Sequence, residues 1–306
     1  MMIQSLKSGL AQMWTNKSML FIFYFANLLF GLVLMLPFRA AVADFAGHSL
    51  MGTKLAGRLP MDFLFEFFKN NGNLGGIYAS LFMVVPAIYW LVLLFLSGGA
   101  FSVFASSSGW SSSDFWGGGA KYFGRFFRLF LMSLPVFGIL FCLQFVETGV
   151  QRLFFGSDPY QNITYWGSWI RFGLRTISIL MFALVFDYAR IHAVVNNERK
   201  MRVSLWHGIR FAFGNLGAAF GLSFILFLAG ALVLAVYNPI ANALAAPNAF
   251  VILTLFLLQQ AYMFFRMMLR LALFSGQVDL FKNLSAAESA APQPSSEHPG
   301  LQGLPA

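Results

Sequence analysis

The residues with the widest chemical range in this sequence gather between Leu180 and Asn215. Asp187, Arg190, His192, Glu198, Arg199, Lys200, Arg202, His207 and Arg210 all fall there, joining two long apolar runs. A carboxylate, two imidazoles and several guanidiniums are the raw material for metal binding, proton transfer or anion binding. Spacing narrows the choice. His192 and His207 have no third ligand at a useful separation, and Asp187, His192 and Glu198 do not make the pattern of two His four apart with a Glu, so neither a metal nor a cofactor is expected. There is no serine nucleophile elbow, phosphate-binding Gly loop or pair of intramembrane aspartates. No catalytic residue is assigned, and the expectation is a protein that is not an enzyme. Asp187 and Arg190 lie three apart on one helix face and can pair. Arg266 and Arg270 end a later apolar run at the corresponding level. These four residues form the candidate cluster, read first as a clamp between helix ends and second as a head-group or substrate site.

The elements that must position them are set by composition. The 306 residues are 58% hydrophobic and 10% charged, with 38 Phe. A soluble fold could not cover that much apolar surface with so few charges. A spanning helix needs roughly 20 apolar residues. Six runs meet this, at Met19–Pro37, Ile77–Leu96, Phe126–Val146, Ile170–Phe186, Leu216–Val236 and Phe250–Phe265. The first is read as a retained span, because it is longer than the roughly 7–15 residues of a signal-peptide core. The net charge of +9 reflects topology and anionic lipid, not nucleic acid, because the basic residues cluster at the ends of apolar runs. Cys142 is the single cysteine.

With the N-terminus inside, 13 of the 20 Lys and Arg residues fall on the cytoplasmic side, as the positive-inside rule favours. Both termini are therefore expected in the cytoplasm. The longest outer loop runs from Phe38 to Gly76. Within it Phe63, Leu64, Phe67 and Phe68 predict a short helix lying on the outer membrane surface, and His48 reads as a solvated loop residue. Glu147 reads as a solvated partner of Arg171 or Arg175. Pro86 and Pro135 predict kinks, and Asn27, Gln144, Gln259 and Gln260 predict interhelical hydrogen bonds. Residues 1–284 make the six-span domain. From Ser285 the Ala, Pro and Ser content predicts a disordered cytoplasmic tail over 285–306.

Three cytoplasmic segments share a pattern. Ser5 to Leu10 leads through Trp14 to Lys17, Asp114 to Gly119 leads through Tyr122 to Arg125, and Ser204 to Ile209 leads through Phe213 to the fifth run. Each has Ser or Asp as an expected N-cap, a Leu or aromatic next, and a Gly four residues on. The pattern predicts three copies of one unit, an interfacial helix followed by a hairpin of two spans, with Gly117–Gly119 as a flexible entry to the second copy.

The stretch Asp187-Tyr188-Ala189-Arg190, the Asn-Asn-Glu-Arg turn after it and the segment Ser204–Phe213 carry a resemblance. They resemble bacterial six-helix membrane proteins of unknown function and are similar to the membrane domain attached to some glycerophosphodiester phosphodiesterases. Those share a D-x-A-R end to the fourth span, a basic amphipathic helix after it and an Arg-bearing sixth span, where Arg266 and Arg270 would fall. The phosphodiesterase activity there belongs to a separate soluble barrel, for which these 306 residues leave no room. The resemblance thus implies a membrane module of the bacterial inner membrane that contacts phospholipid head groups, and no esterase. The expected function is a non-enzymatic membrane protein that contacts anionic phospholipid, with a protein partner or a second copy of the chain as further candidates. The alternative is a transporter of a lipid-like or small solute between the hairpins, which would need a polar cavity reaching the bilayer midplane.

Overall fold

The computed structural model describes residues 2–46, 61–70, 72–106, 109–156, 160–244 and 248–290, and every regular element among them is an α-helix. In chain order these are α1 (Met2–Thr15), α2 (Lys17–Ala46), α3 (Met61–Asn70), α4 (Gly72–Ala105), α5 (Ser112–Cys142), α6 (Gln144–Phe155), α7 (Gln161–Val195), α8 (Met201–Gly214), α9 (Leu216–Ala243) and α10 (Ala249–Ala290). Six of them, α2, α4, α5, α7, α9 and α10, contain stretches long and apolar enough to cross a membrane. The chain is an all-α, multi-pass membrane protein. His48 and residues 291–306 of the expected tail lie outside the described residues.

The helices overshoot the apolar runs. At about 1.5 Å per residue the 42 residues of α10 extend roughly 63 Å, twice the thickness of the hydrocarbon layer. Hydropathy marks only the part in lipid, while helix formation continues through any good helix former. Thus α2 runs through Pro37 into the Ala-rich stretch to Ala46, where a loop was expected from Phe38. Likewise α10 carries on to Ala290, past the tail boundary expected at Ser285, because Ser285–Ala290 is rich in Ala.

The expected N-caps are not caps. Ser5 and Ser204 lie inside α1 and α8 and are fully buried. Ser111, three residues before Asp114, caps α5 by accepting from the Asp114 amide at 3.4 Å. The second interfacial helix is also not separate, since Asp114–Tyr122 is the first part of the continuous helix α5. Gly117–Gly119 is therefore no flexible entry. Gly118 and Gly119 are buried against α4.

The shared Gly of the three segments has one geometric role. A methyl group added at Gly9 would lie 2.9 Å from the Ala272 carbonyl oxygen and 2.8 Å from the Gly276 nitrogen. At Gly208 it would lie 2.8 Å from the Val185 oxygen and 2.7 Å from the Ala189 nitrogen, and at Gly118 it would meet the Gly98 oxygen at 3.4 Å and the Ser102 side chain. From Gly98 to Val185 to Ala272, and from Ser102 to Ala189 to Gly276, the interval is 87 residues each time. Each amphipathic segment therefore docks on the last span of the preceding unit, and α1 docks on the last span of the third. The three units close into a ring. Gly98 with Ser102 and Ala272 with Gly276 are small residues four apart, which permit this backbone approach, while at the second junction Ala189 is the small partner of Val185.

The main core lies at the ringed end, built from Phe23, Phe101, Phe115, Phe126, Leu129, Leu184, Tyr188, Leu271 and Phe274 among others. This end carries most of the Lys and Arg and is called the basic end below. At the far end a smaller aromatic cluster joins Ala46, Phe63, Phe67 and Tyr78. The expected outer helix is α3, with its Phe63 and Phe67 face docked on protein and not turned to lipid, and Tyr78 donates to the Pro37 carbonyl at 2.9 Å.

Candidate functional site

Arg190 sits at the centre of the basic end. Its position follows from α7, whose last turns are buried on every side from Leu184 to Val194. There the guanidinium lies 4.5 Å from the Phe186 ring centroid, 5.1 Å from Phe101, and 5.7 Å from both Phe126 and Phe274. Nη1 donates to Ser97 Oγ at 2.9 Å and Nη2 donates to Asp187 Oδ1. Asp187 and Arg190 are 7% and 6% exposed, so the pair is shut off from water and lipid alike. An unpaired charge there would be prohibitive, whereas a paired one surrounded by ring faces is tolerated. Arg190 ties α4, α5, α7 and α10 together, and Asp187 is explained as its counter-charge.

The other two candidate residues are placed differently. Arg270 lies 5.6 Å from the Phe274 ring centroid, on the same ring that Arg190 touches. Arg266 is one turn deeper on α10 and exposed. Among the described residues neither arginine has a hydrogen-bond or ion-pair partner, the ion pairs being Asp187–Arg190 and Glu147–Arg171. The candidate cluster is thus a closed pair, Asp187–Arg190, beside two cations without an ion pair of their own among the described residues.

Polar contacts link the spans near these cations. Tyr24 donates to Gln260 at 2.8 Å and Tyr89 donates to Asn27 at 3.0 Å. At the far end Arg175 donates to Gln144 at 3.0 Å. Three of the four amides expected to bridge helices do so. Glu147 differs from expectation. It pairs with Arg171 at 2.8 Å but its side chain is 3% exposed against 42% for Arg171. The third apolar run breaks at Leu143, and α6 folds Glu147 back onto Gly167 of α7, so the pair is half-buried and not solvated.

At the basic end α7 closes with a Schellman turn. The Glu198 amide donates to the Ala193 carbonyl at 3.1 Å and the Asn197 amide to Val194 at 3.2 Å, with Asn197 at φ 48°. Arg125 then donates to Asn197 Oδ1 at 3.0 Å, and Lys282 donates to the last carbonyls of α4, at Ala105, at 2.8 Å. Two of the basic residues read as topology signals are therefore helix C-terminal caps. The turn also stacks His192 on His207, centroids 4.4 Å apart at 9°, with His192 Nδ1 3.3 Å from Ser204 Oγ. No group of three His, Cys, Asp or Glu residues suited to a metal occurs among the described residues.

Around this end each amphipathic segment turns a Trp and cations outward. Trp14 with Lys7 and Lys17, Trp116 with Lys121 and Arg128, and Trp206 with Arg202 and Arg210 are all exposed. Sequence reading found the segments but not this recurrence, because the Trp precedes the shared Gly by two residues in the second and third segments and follows it by five in the first.

Fold and site together define a multi-pass helical membrane protein with a basic, Trp-studded ring at one end. Comparison of the chain with protein-family models, with curated proteins and with solved structures gives no match.

Proposed function

We propose that this protein is a non-enzymatic component of a bacterial inner membrane that gathers anionic phospholipid around its basic end, with that end and both termini in the cytoplasm. The observation that carries the reading is the outward Trp and Lys/Arg set on all three docked segments. Indole rings settle at the head-group level, and each nearby cation adds about 1 kcal/mol of attraction to an anionic surface. The resemblance to the membrane module of glycerophosphodiester phosphodiesterases fits the same role, the module serving as a phospholipid-contacting platform. Against a solute path, Phe101, Phe126, Phe274 and Arg190 fill the space between the spans at this end.

The test is reconstitution into nanodiscs of phosphatidylcholine with and without phosphatidylglycerol, followed by analysis of the lipid shell around the protein. Phosphatidylglycerol is expected to be enriched and the enrichment to fall with salt. The variant K121Q/R128Q/R202Q/R210Q should abolish most of it. Equal recovery of the two lipids around the wild-type protein would refute the proposal.

A further inference from the structure

Span α10 presents two cations that the fold leaves uncompensated inside the membrane. The Asp187 charge is committed to Arg190, so the pair is neutral and Arg266 and Arg270 remain as an excess of two positive charges. Their depth follows from the docking of α1. Gly9 meets the Ala272 carbonyl, and at about 1.5 Å per residue Arg270 lies roughly 3 Å and Arg266 roughly 9 Å further toward the bilayer centre. Arginines near helix ends usually escape by reaching back to the interface. The general lean of helical side chains toward the N-terminus, which for α10 is the far end, works against that escape.

The space they enter is partly open and polar. No residue of α10 from Ala249 to Arg266 is buried, and none of α2 from Tyr24 to Phe45. The seam between α2, α4 and α10 is bridged by Tyr24–Gln260 and Tyr89–Asn27. A charge at membrane depth normally has a partner, and among the described residues no carboxylate forms an ion pair with either arginine, although Asp187 attracts Arg270 from a distance.

We infer that Arg266 and Arg270 form a binding site for a single phosphate anion within the membrane, at the closed end of the seam between α2, α4 and α10. Two guanidinium forks one helical turn apart suit the tetrahedral oxygens of a phosphate, which they grip by paired, charge-assisted hydrogen bonds. The phosphate belongs either to an anionic phospholipid, whose chains lie along the exposed faces of α2 and α10, or to a free phosphate ester. This site is separate from the head-group ring, since neither arginine is on the docked segments.

The experiment uses the full chain, delipidated in a non-ionic detergent. Phosphatidylglycerol, phosphatidylcholine and inorganic phosphate are added in separate arms at constant ionic strength. Native mass spectrometry counts bound lipid and thermal unfolding reports stabilisation. One phosphatidylglycerol is expected to bind about tenfold more tightly than phosphatidylcholine, and R266Q/R270Q to remove that difference. K121Q/R128Q/R202Q/R210Q should leave this one lipid in place, which separates the site from the ring. Stabilisation by inorganic phosphate without lipid binding supports the site and assigns it to a soluble phosphate. If neither anion binds the wild-type protein or raises its melting temperature, the inference is wrong, whatever the variants do. It is equally wrong if folded R266Q/R270Q binds like wild type. R270K, which keeps the charge and loses the fork, is expected to bind about threefold more weakly, and undiminished affinity would overturn the assignment.

Discussion

Adjacent glycines give the sharpest test of the docking geometry. Gly117 and Gly118 occupy consecutive positions in α5, and alanine gains about 1 kcal/mol of helix propensity over glycine at either. A methyl group at Gly117 has nothing within 4 Å. At Gly118 it falls onto Ser102 of α4, on the Cβ, which cannot swing away without moving the helix. Forcing an extra methyl into such a contact costs about 1–3 kcal/mol. Gly117→Ala should therefore be stabilising by up to about 1 kcal/mol. Gly118→Ala should range from neutral to about 2 kcal/mol destabilising. In a protein of this size a kilocalorie moves the melting temperature by about 2–4 °C, so the two variants should melt several degrees apart in the same detergent. Intrinsic Trp fluorescence follows the transition, because Trp110 and Trp116 flank the contact. The ring closure predicts the same sign for Gly9→Ala and Gly208→Ala, whose added methyls meet backbone atoms at 2.7–2.9 Å. Equal melting of Gly117→Ala and Gly118→Ala would refute the close approach of α5 to α4.

Two further predictions concern charge. Arg190→Met leaves Asp187 buried without its partner and should cost about 3–5 kcal/mol, read as lost monodisperse yield, whereas Asp187→Leu combined with Arg190→Met should recover most of it; a double variant no better than the single would mean that the charges do more than balance each other. Glu198 accepts from the Arg199 and Lys200 amides, each at 2.8 Å. The Lys200 amide first, joined by the Arg199 amide and the nearby His192 and Lys200, holds its carboxyl below the ordinary range, although desolvation opposes them and is second in size only to the Lys200 amide. A lowered carboxyl stabilises the fold fully above the ordinary carboxylate range and loses that contribution as pH falls through its own lowered value. The melting gap between wild type and Glu198→Gln should thus be present at neutral pH and close in acid, and a gap that widened in acid would contradict the capping role.

How much of this was legible in the sequence differs by feature. The six spans were, because hydrocarbon thickness sets a length that apolar runs must meet. Their ends were not, since Arg39–Ala46 and Ser285–Ala290 are helix formers outside lipid, where hydropathy carries no signal. The Asp187–Arg190 pair was readable from its three-residue spacing. The free state of Arg266 and Arg270 was not, because it depends on which carboxylate reaches across α10 and none among the described residues does. The common Gly of the three segments was visible, but it was tied to helix starts, whereas its role is contact with a span. The 87-residue recurrence of that contact was hidden because the partner positions vary, Gly, Val or Ala at one and Ser, Ala or Gly at the other. A carbonyl oxygen is the common contact only at the first of these positions. Glu147 was misplaced because a break at Leu143, inside an unbroken apolar run, has no proline or glycine to announce it.

The ring also assigns separate tasks to the two halves of the bundle. Docked segments, capping cations and the Arg190 cage concentrate the tight packing at the basic end. At the far end, among the described residues, α3 and α6 hold the helices through the Phe63–Phe67 cluster, the Glu147–Arg171 pair and the Arg175–Gln144 hydrogen bond. Between these, less than a third of the most apolar stretch of any span is buried. A molecule so built is tightly packed at the basic end and loosely packed along the rest of its spans. Because α1 docks on α10, the first unit is complete only once the last span is in place. Arg266 and Arg270 lie where the tightly packed half gives way to the loose one. An anion held there would offset the excess positive charge of Arg266 and Arg270 at the boundary where the helices begin to part.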